Sequence, residues 1–218
     1  MDNSTKTIEE WSDSLFALQD EIYEHEKLEM TDEAMPLSRE DEFEQTLSTY
    51  GAQDSFPPEY RAVNGFEMVW HAQEDPSLNG VVKFLTVDQV LSSWEEIFYF
   101  KAIHGEDHEM RKYRPLDMPT GELSVGIFSD AGKASSLYLL KRGNDPINLD
   151  LDILGYVQLL FQSRGFIYWQ RVLASHKQGI ANEPAAAAME AGMTKLFPEF
   201  SMEAFLELYD SLRLSQTN

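Results

Sequence analysis

The period of the hydrophobic pattern changes twice along this chain, and that limits its fold more than any other feature. Ile8, Trp11, Leu15, Leu18 and Ile22 recur at spacings of three and four, which puts them on one face of a helix. Phe66, Met68, Trp70 and Ala72 then recur at a spacing of two, with Glu67, Val69 and His71 between them, the alternation of a half-buried strand. From Ile153 the helical spacing returns through Val157, Leu160 and Phe161. Helices, then strands, then helices predict an α+β fold with a central antiparallel sheet flanked by N- and C-terminal helices, not a doubly wound α/β fold.

Local signals refine this order. The first helix is expected to run to about Glu29, followed by a linker containing Pro36. Ser38 is placed to cap a second helix whose buried side is Phe43, Leu47 and Tyr50, with Gly51 as its C-cap. Pro58 opens a short helical turn ending at Asn64-Gly65, residues that tolerate positive φ. Glu74-Asp75-Pro76 makes the turn into a partner strand at 81–85, and Thr86 caps a helix carrying Val87, Val90, Leu91 and Trp94. Further strands are expected at about 111–116, 123–128 and 135–141, with Asp130 to Lys133 as the turn between the last two and a break at 142–146. Gly165 can end the helix from Ile153, Trp169 begins another, Pro184 can start one, and Ser201 can cap a last one bearing Phe205, Leu208, Tyr209 and Leu212. Three parts are expected: residues 1–37, an acidic helix and linker; 38–174, the α+β core; and 175–218, a helical extension packed on that core.

Charge narrows the range of partners. The net charge is −21, and residues 1–60 carry 17 of the 38 acids but only 3 of the 17 bases, or −14 of that total. Nucleic acid and anionic membrane surfaces are disfavoured, because phosphate contacts need clustered Lys and Arg. A basic protein partner would be drawn in by the same field, although an acidic surface also serves solubility alone. The absence of cysteine and of a basic, then apolar, leader points to the cytoplasm, and no apolar run is long enough to span a bilayer.

Catalytic patterns are sparse. His104 and His108, with Glu106 and Asp107 between them, could share a metal if they were helical. However, Gly105 interrupts them, no third ligand is identifiable, and the glutamate is misplaced for HExxH. This leaves a metal-dependent hydrolase as a minor alternative. There is no nucleophile elbow and no phosphate loop, and Asp150 and Asp152 lack the glycine and distal glutamate of a calcium loop. No cofactor is expected. The residues that stand out for partner contact are the acids on the solvent side of the first helix, Asp13, Asp20, Glu21 and Glu24, and the loop acids Glu74, Asp75, Glu106 and Asp107.

One stretch resembles a known family. Thr49-Tyr50-Gly51, then Phe56-Pro57-Pro58-Glu59-Tyr60, then Asn64-Gly65 and a strand resemble the entry motif of the SUKH superfamily. Asn148 to Asp152, Arg164-Gly165-Phe166 and Trp169-Gln170 are similar to its closing helices, so the likeness covers roughly residues 38–174. Only three residues separate Tyr60 from Asn64, and Phe56 stands where leucine is common. The resemblance implies an α+β fold with an antiparallel sheet. It also implies an immunity protein that binds and neutralises a toxin encoded beside it, such as a polymorphic or type VI secretion effector, with a regulatory scaffold of the same fold as the alternative.

Overall fold

The computed structural model describes residues 6–37, 39–54, 56–105, 107–129, 136–181 and 183–216. Helix α1 (Ile8–Glu24) begins at a capping box, in which the Thr7 side chain accepts from the Glu10 N–H and the Glu10 carboxylate accepts from the Thr7 N–H. Its buried stripe is Trp11, Leu15, Leu18 and Ile22, and each such side chain contributes about 2 kcal/mol when fully buried.

The expected linker is instead strand β1 (Leu28–Ala34). It pairs antiparallel with β2 (Glu67–Ala72), which pairs in turn with β3 (Asn79–Lys83). Helix α1 stops at Glu24 because His25 turns the chain. The His25 Nδ1 accepts from the Lys27 N–H, and its Nε2–H donates to the Leu196 carbonyl. The pairing slips between Met30 and Asp32, and Glu29, Thr31, Asp32 and Glu33 are all exposed. An irregular edge strand lined with charge resists pairing with another chain.

Helix α2 (Glu40–Tyr50) ends at Gly51, whose φ of 64° suits glycine. Ser38 lies outside the described residues, and the cap position is taken by Arg39, which makes no side-chain capping bond. Phe43 and Leu47 are buried, but Tyr50 is 45% exposed and donates to Asp88. The solvated hydroxyl carries Tyr50 off the expected buried side. A 3-10 turn (Pro58–Ala62) leads into β2, and helix α3 (Val87–Leu91) is capped by Thr86 as expected, with Gln89 completing a capping box.

Among its described residues the next segment holds a short helix α4 (Lys101–His104) and a 3-10 turn (Glu109–Lys112), and Trp94 stands beyond α3. The second sheet is a four-stranded meander of β4 (Tyr113–Thr120), β5 (Leu123–Phe128), β6 (Tyr138–Lys141) and β7 (Ile147–Asn148). The expected 130–133 turn lies outside the described residues.

The two sheets meet along the outer edge of β3. Phe84 bridges Asp117, and the Leu85 N–H donates to the Leu116 carbonyl. The other end of that edge is taken by 165–167, through Val81 N–H to Gly165 O and Ile167 N–H to Asn79 O. Gly80 is required there, because a Cβ would fall inside the indole of Trp70. That indole donates to the Arg164 carbonyl at 2.8 Å.

Helices α5 (Ile153–Ser163), α6 (Trp169–Lys177), α7 (Pro184–Leu196) and α8 (Met202–Leu212) complete the chain. Met189, Met193, Phe205 and Tyr209 belong to the same hydrophobic cluster as Leu15, Trp70 and Trp169. The two ends of the chain therefore share a core with its middle. A satellite cluster of Phe98, Tyr99, Met110, Tyr113, Phe128 and Leu140 lies under the long 92–112 connection.

Candidate protein-docking surface

Fifteen carboxylates between Glu9 and Asp54 are exposed without exception. Three contacts make α1, β1 and the start of α2 one continuous surface. Arg61, only 9% exposed, pairs with Glu9 at 3.2 Å and with Glu40 at 2.8 Å, which holds the N-termini of α1 and α2 together. Buried Gln19 donates from Nε2 to the Glu67 carbonyl at 3.0 Å and to Ala34 at 3.4 Å, seating α1 on the sheet. The Ser12 hydroxyl reaches the Ala62 carbonyl.

Apolar groups stand among these charges. Tyr23 is 75% exposed on α1, and Met35 and Leu37 are 48% and 56% exposed just after β1. Met35 and Leu37 line a shallow groove of about 300 Å³ with Gly65, Leu85, Thr86 and Gln89. Asn64 fixes its floor: its side-chain N–H donates to the Leu37 carbonyl, and its oxygen accepts from the Val87 N–H. The groove also holds the Lys83–Glu67 ion pair, and exposed apolar groups beside a largely acidic face form a surface that a basic, partly apolar partner can cover.

The expected contact residues separate into two places. Asp13, Asp20, Glu21 and Glu24 are exposed on α1. Glu21 is committed to the fold, since its carboxylate accepts from Arg164 Nε at 2.7 Å while the same guanidinium binds Glu199 and lies over Phe197. The hairpin with Glu74 and Asp75 sits beside the α1–β1 connection, where Gln73 N–H donates to the Lys27 carbonyl. Asp75 has its carboxyl pKa held low, chiefly by the Ser77 hydroxyl, and lies 3.9 Å from Lys195. Asp107 is exposed in the 92–112 connection, on the second sheet's side, and Glu106 lies outside the described residues. His108 caps the 3-10 turn by accepting from Met110 N–H. Among the described residues no group of three or more ligating side chains could hold a metal ion, and no helix is long and apolar enough to cross a membrane.

The sequence gives no warning of the buried carboxylate at the sheet seam. Asp117, 1% exposed, accepts from Lys83 N–H at 3.0 Å, from the Tyr156 hydroxyl at 2.6 Å and from Gln170 at 3.4 Å. Burial pushes its pKa up to about 6, against the pull of these donors. Beside it the Tyr60 hydroxyl donates to both the Leu85 and Leu116 carbonyls, at 2.6 and 2.9 Å. These groups join β3, β4, α5 and α6, so Asp117 works as a clamp between sheets.

No protein-family model matches the chain, and neither does any curated protein or solved structure.

Proposed function

We propose that this chain is an immunity protein of the SUKH type, which binds a cognate toxin one to one and neutralises it without catalysis. The observation that carries the reading is the continuous surface of α1, β1 and α2, where exposed carboxylates surround exposed Tyr23, Met35 and Leu37. A charged field of this size speeds encounter with a basic toxin, and the apolar groups supply desolvated contact once the partners meet. The motif residues behind the family likeness support the same surface from below. Tyr60 locks the two sheets together, and Asn64 fixes the loop that presents Leu37. The toxin would be the product of an adjoining gene, met in the cytoplasm.

Co-expression tests this. Cells making the adjoining gene product should survive when this chain is present. They should lose that protection when Asp13, Asp20 and Glu24 are reversed to lysine and Leu37 to aspartate, with the variant still folded. Survival that is indifferent to the presence of this chain would refute the proposal.

A further inference from the structure

The acidic face is not where this molecule's chemistry is most unusual. In a chain of charge −21, two adjoining clefts beside the 92–112 connection gather cations around one acid, Glu95. One, of about 300 Å³, is bounded by Ser93, Trp94, Glu95, Tyr99, Arg111 and Arg114. An adjoining cleft of about 170 Å³ shares Glu95, Tyr99 and Arg111 and adds Lys101.

Arg114 is half-buried and, among the described residues, has no carboxylate partner. Its Nη1 donates to the Arg111 carbonyl at 3.0 Å and to the Tyr113 carbonyl at 2.9 Å. Those two main-chain bonds fix the guanidinium plane. A guanidinium has five N–H donors, so the Nε–Nη2 edge, which matches an oxyanion bidentately, is left without an acceptor among the described residues. Burial draws the Arg114 pKa down, and no carboxylate offsets it. Arg111 is exposed beside it and also forms no ion pair among the described residues. A partly desolvated guanidinium without a counter-charge is costly, and the cost is met when an anion arrives. Glu95 also faces this space without pairing to either arginine, so a ligand's anionic group is directed to the Arg114 side. Ser93 Oγ accepts from the Glu95 N–H and keeps its own proton to donate. Two cations and a hydroxyl suit a dianion better than a single carboxylate, and the cleft's volume suits a small molecule.

We infer that the cleft between Arg111 and Arg114 is a binding site for the phosphate group of a small phosphorylated ligand, with the Nε–Nη2 edge of Arg114 as the bidentate contact. This site does not depend on the toxin-binding reading.

The test is a titration of the full chain with inorganic phosphate at constant ionic strength. It is followed by the Nε–H resonances of the arginines and by calorimetry, with acetate as a second arm. Wild type should show saturable shifts confined to Arg111 and Arg114. Arg114→Gln should weaken binding by at least about tenfold, the scale of one lost hydrogen bond to a charged group. Arg114→Lys, which keeps the charge but not the fork, should recover only part of it. Arg111→Gln alters an exposed side chain, so it reads the site even if Arg114→Gln disturbs the fold, and it should also weaken binding. Non-saturating shifts in wild type, equal affinity in Arg111→Gln, or acetate binding as tightly as phosphate would each overturn the assignment.

Discussion

Asp117 makes the seam between the sheets sensitive to pH, in a direction opposite to that of most carboxylates. Its folded pKa of about 6 lies above the ordinary value of 3.8. The folded state therefore holds the proton more tightly than the unfolded chain does. The group's contribution to stability is full below about pH 4, declines as pH rises from 4 to 6, and is lost above. The shift of about two units corresponds to about 3 kcal/mol between the ends of that window. Replacing Asp117 with Asn keeps an oxygen for the Lys83 N–H and removes the charge. The amide can donate to the Tyr156 hydroxyl, and Gln170, whose side-chain oxygen is buried without a donor, can turn to meet it. The assay is urea unfolding followed by tryptophan fluorescence at pH 5 and pH 7.5. Between the two, wild type should gain about 1 kcal/mol over Asp117→Asn on going to pH 5. Comparison with the variant cancels the contributions of other groups, such as Asp75 and Asp150, whose pKa values are held low. Parallel pH profiles for the two proteins would refute the assignment of a proton-binding carboxylate at the seam.

Gly80→Ala should destabilise the fold by about 1–3 kcal/mol, because the new methyl must displace the Trp70 indole from a packed core; chemical denaturation reads this directly. Tyr60→Phe removes the hydroxyl shared by the Leu85 and Leu116 carbonyls, which keep their main-chain donors, and should cost about 1 kcal/mol, with hydrogen exchange rising first along β3 and β4. Arg61→Met keeps the buried aliphatic stem but frees Glu9 and Glu40. It should loosen the start of α1, seen as faster exchange of its first amides, with β2 unchanged.

The long helices were legible because their stripes run for several turns, whereas the four-residue α4 gave no such signal. Ile8 to Ile22 and Phe205 to Leu212 both read as amphipathic, and Thr86, Pro184 and Ser201 sit at the helix starts their chemistry implies. Strand β2 was legible because it is central, so one whole face is buried. Strand β1 was not, because an edge strand facing water carries Glu29, Asp32 and Glu33, and its residues then look like a helix tail and a linker. Trp94 fits the α3 stripe by spacing, yet its indole N–H donates to the Val90 carbonyl just past the helix end. The acids of α1 were visible as a solvated face, but nothing local shows that Glu21 is held by Arg164, because that contact spans 143 residues. Asp117 was hidden for the same reason: its burial and its partners, Lys83, Tyr156 and Gln170, are made by strand register and by distant helices.

The central claim is that the acidic surface of α1, β1 and α2 binds a basic toxin one to one. Calorimetry of the purified chain with the adjoining gene's product, at low and at moderate salt, tests it most directly. A tight one-to-one complex is expected, weakening as salt screens the carboxylates and weakening further when Asp13, Asp20 and Glu24 are reversed. Absence of binding at either salt, or an affinity that ignores both salt and charge reversal, would contradict it.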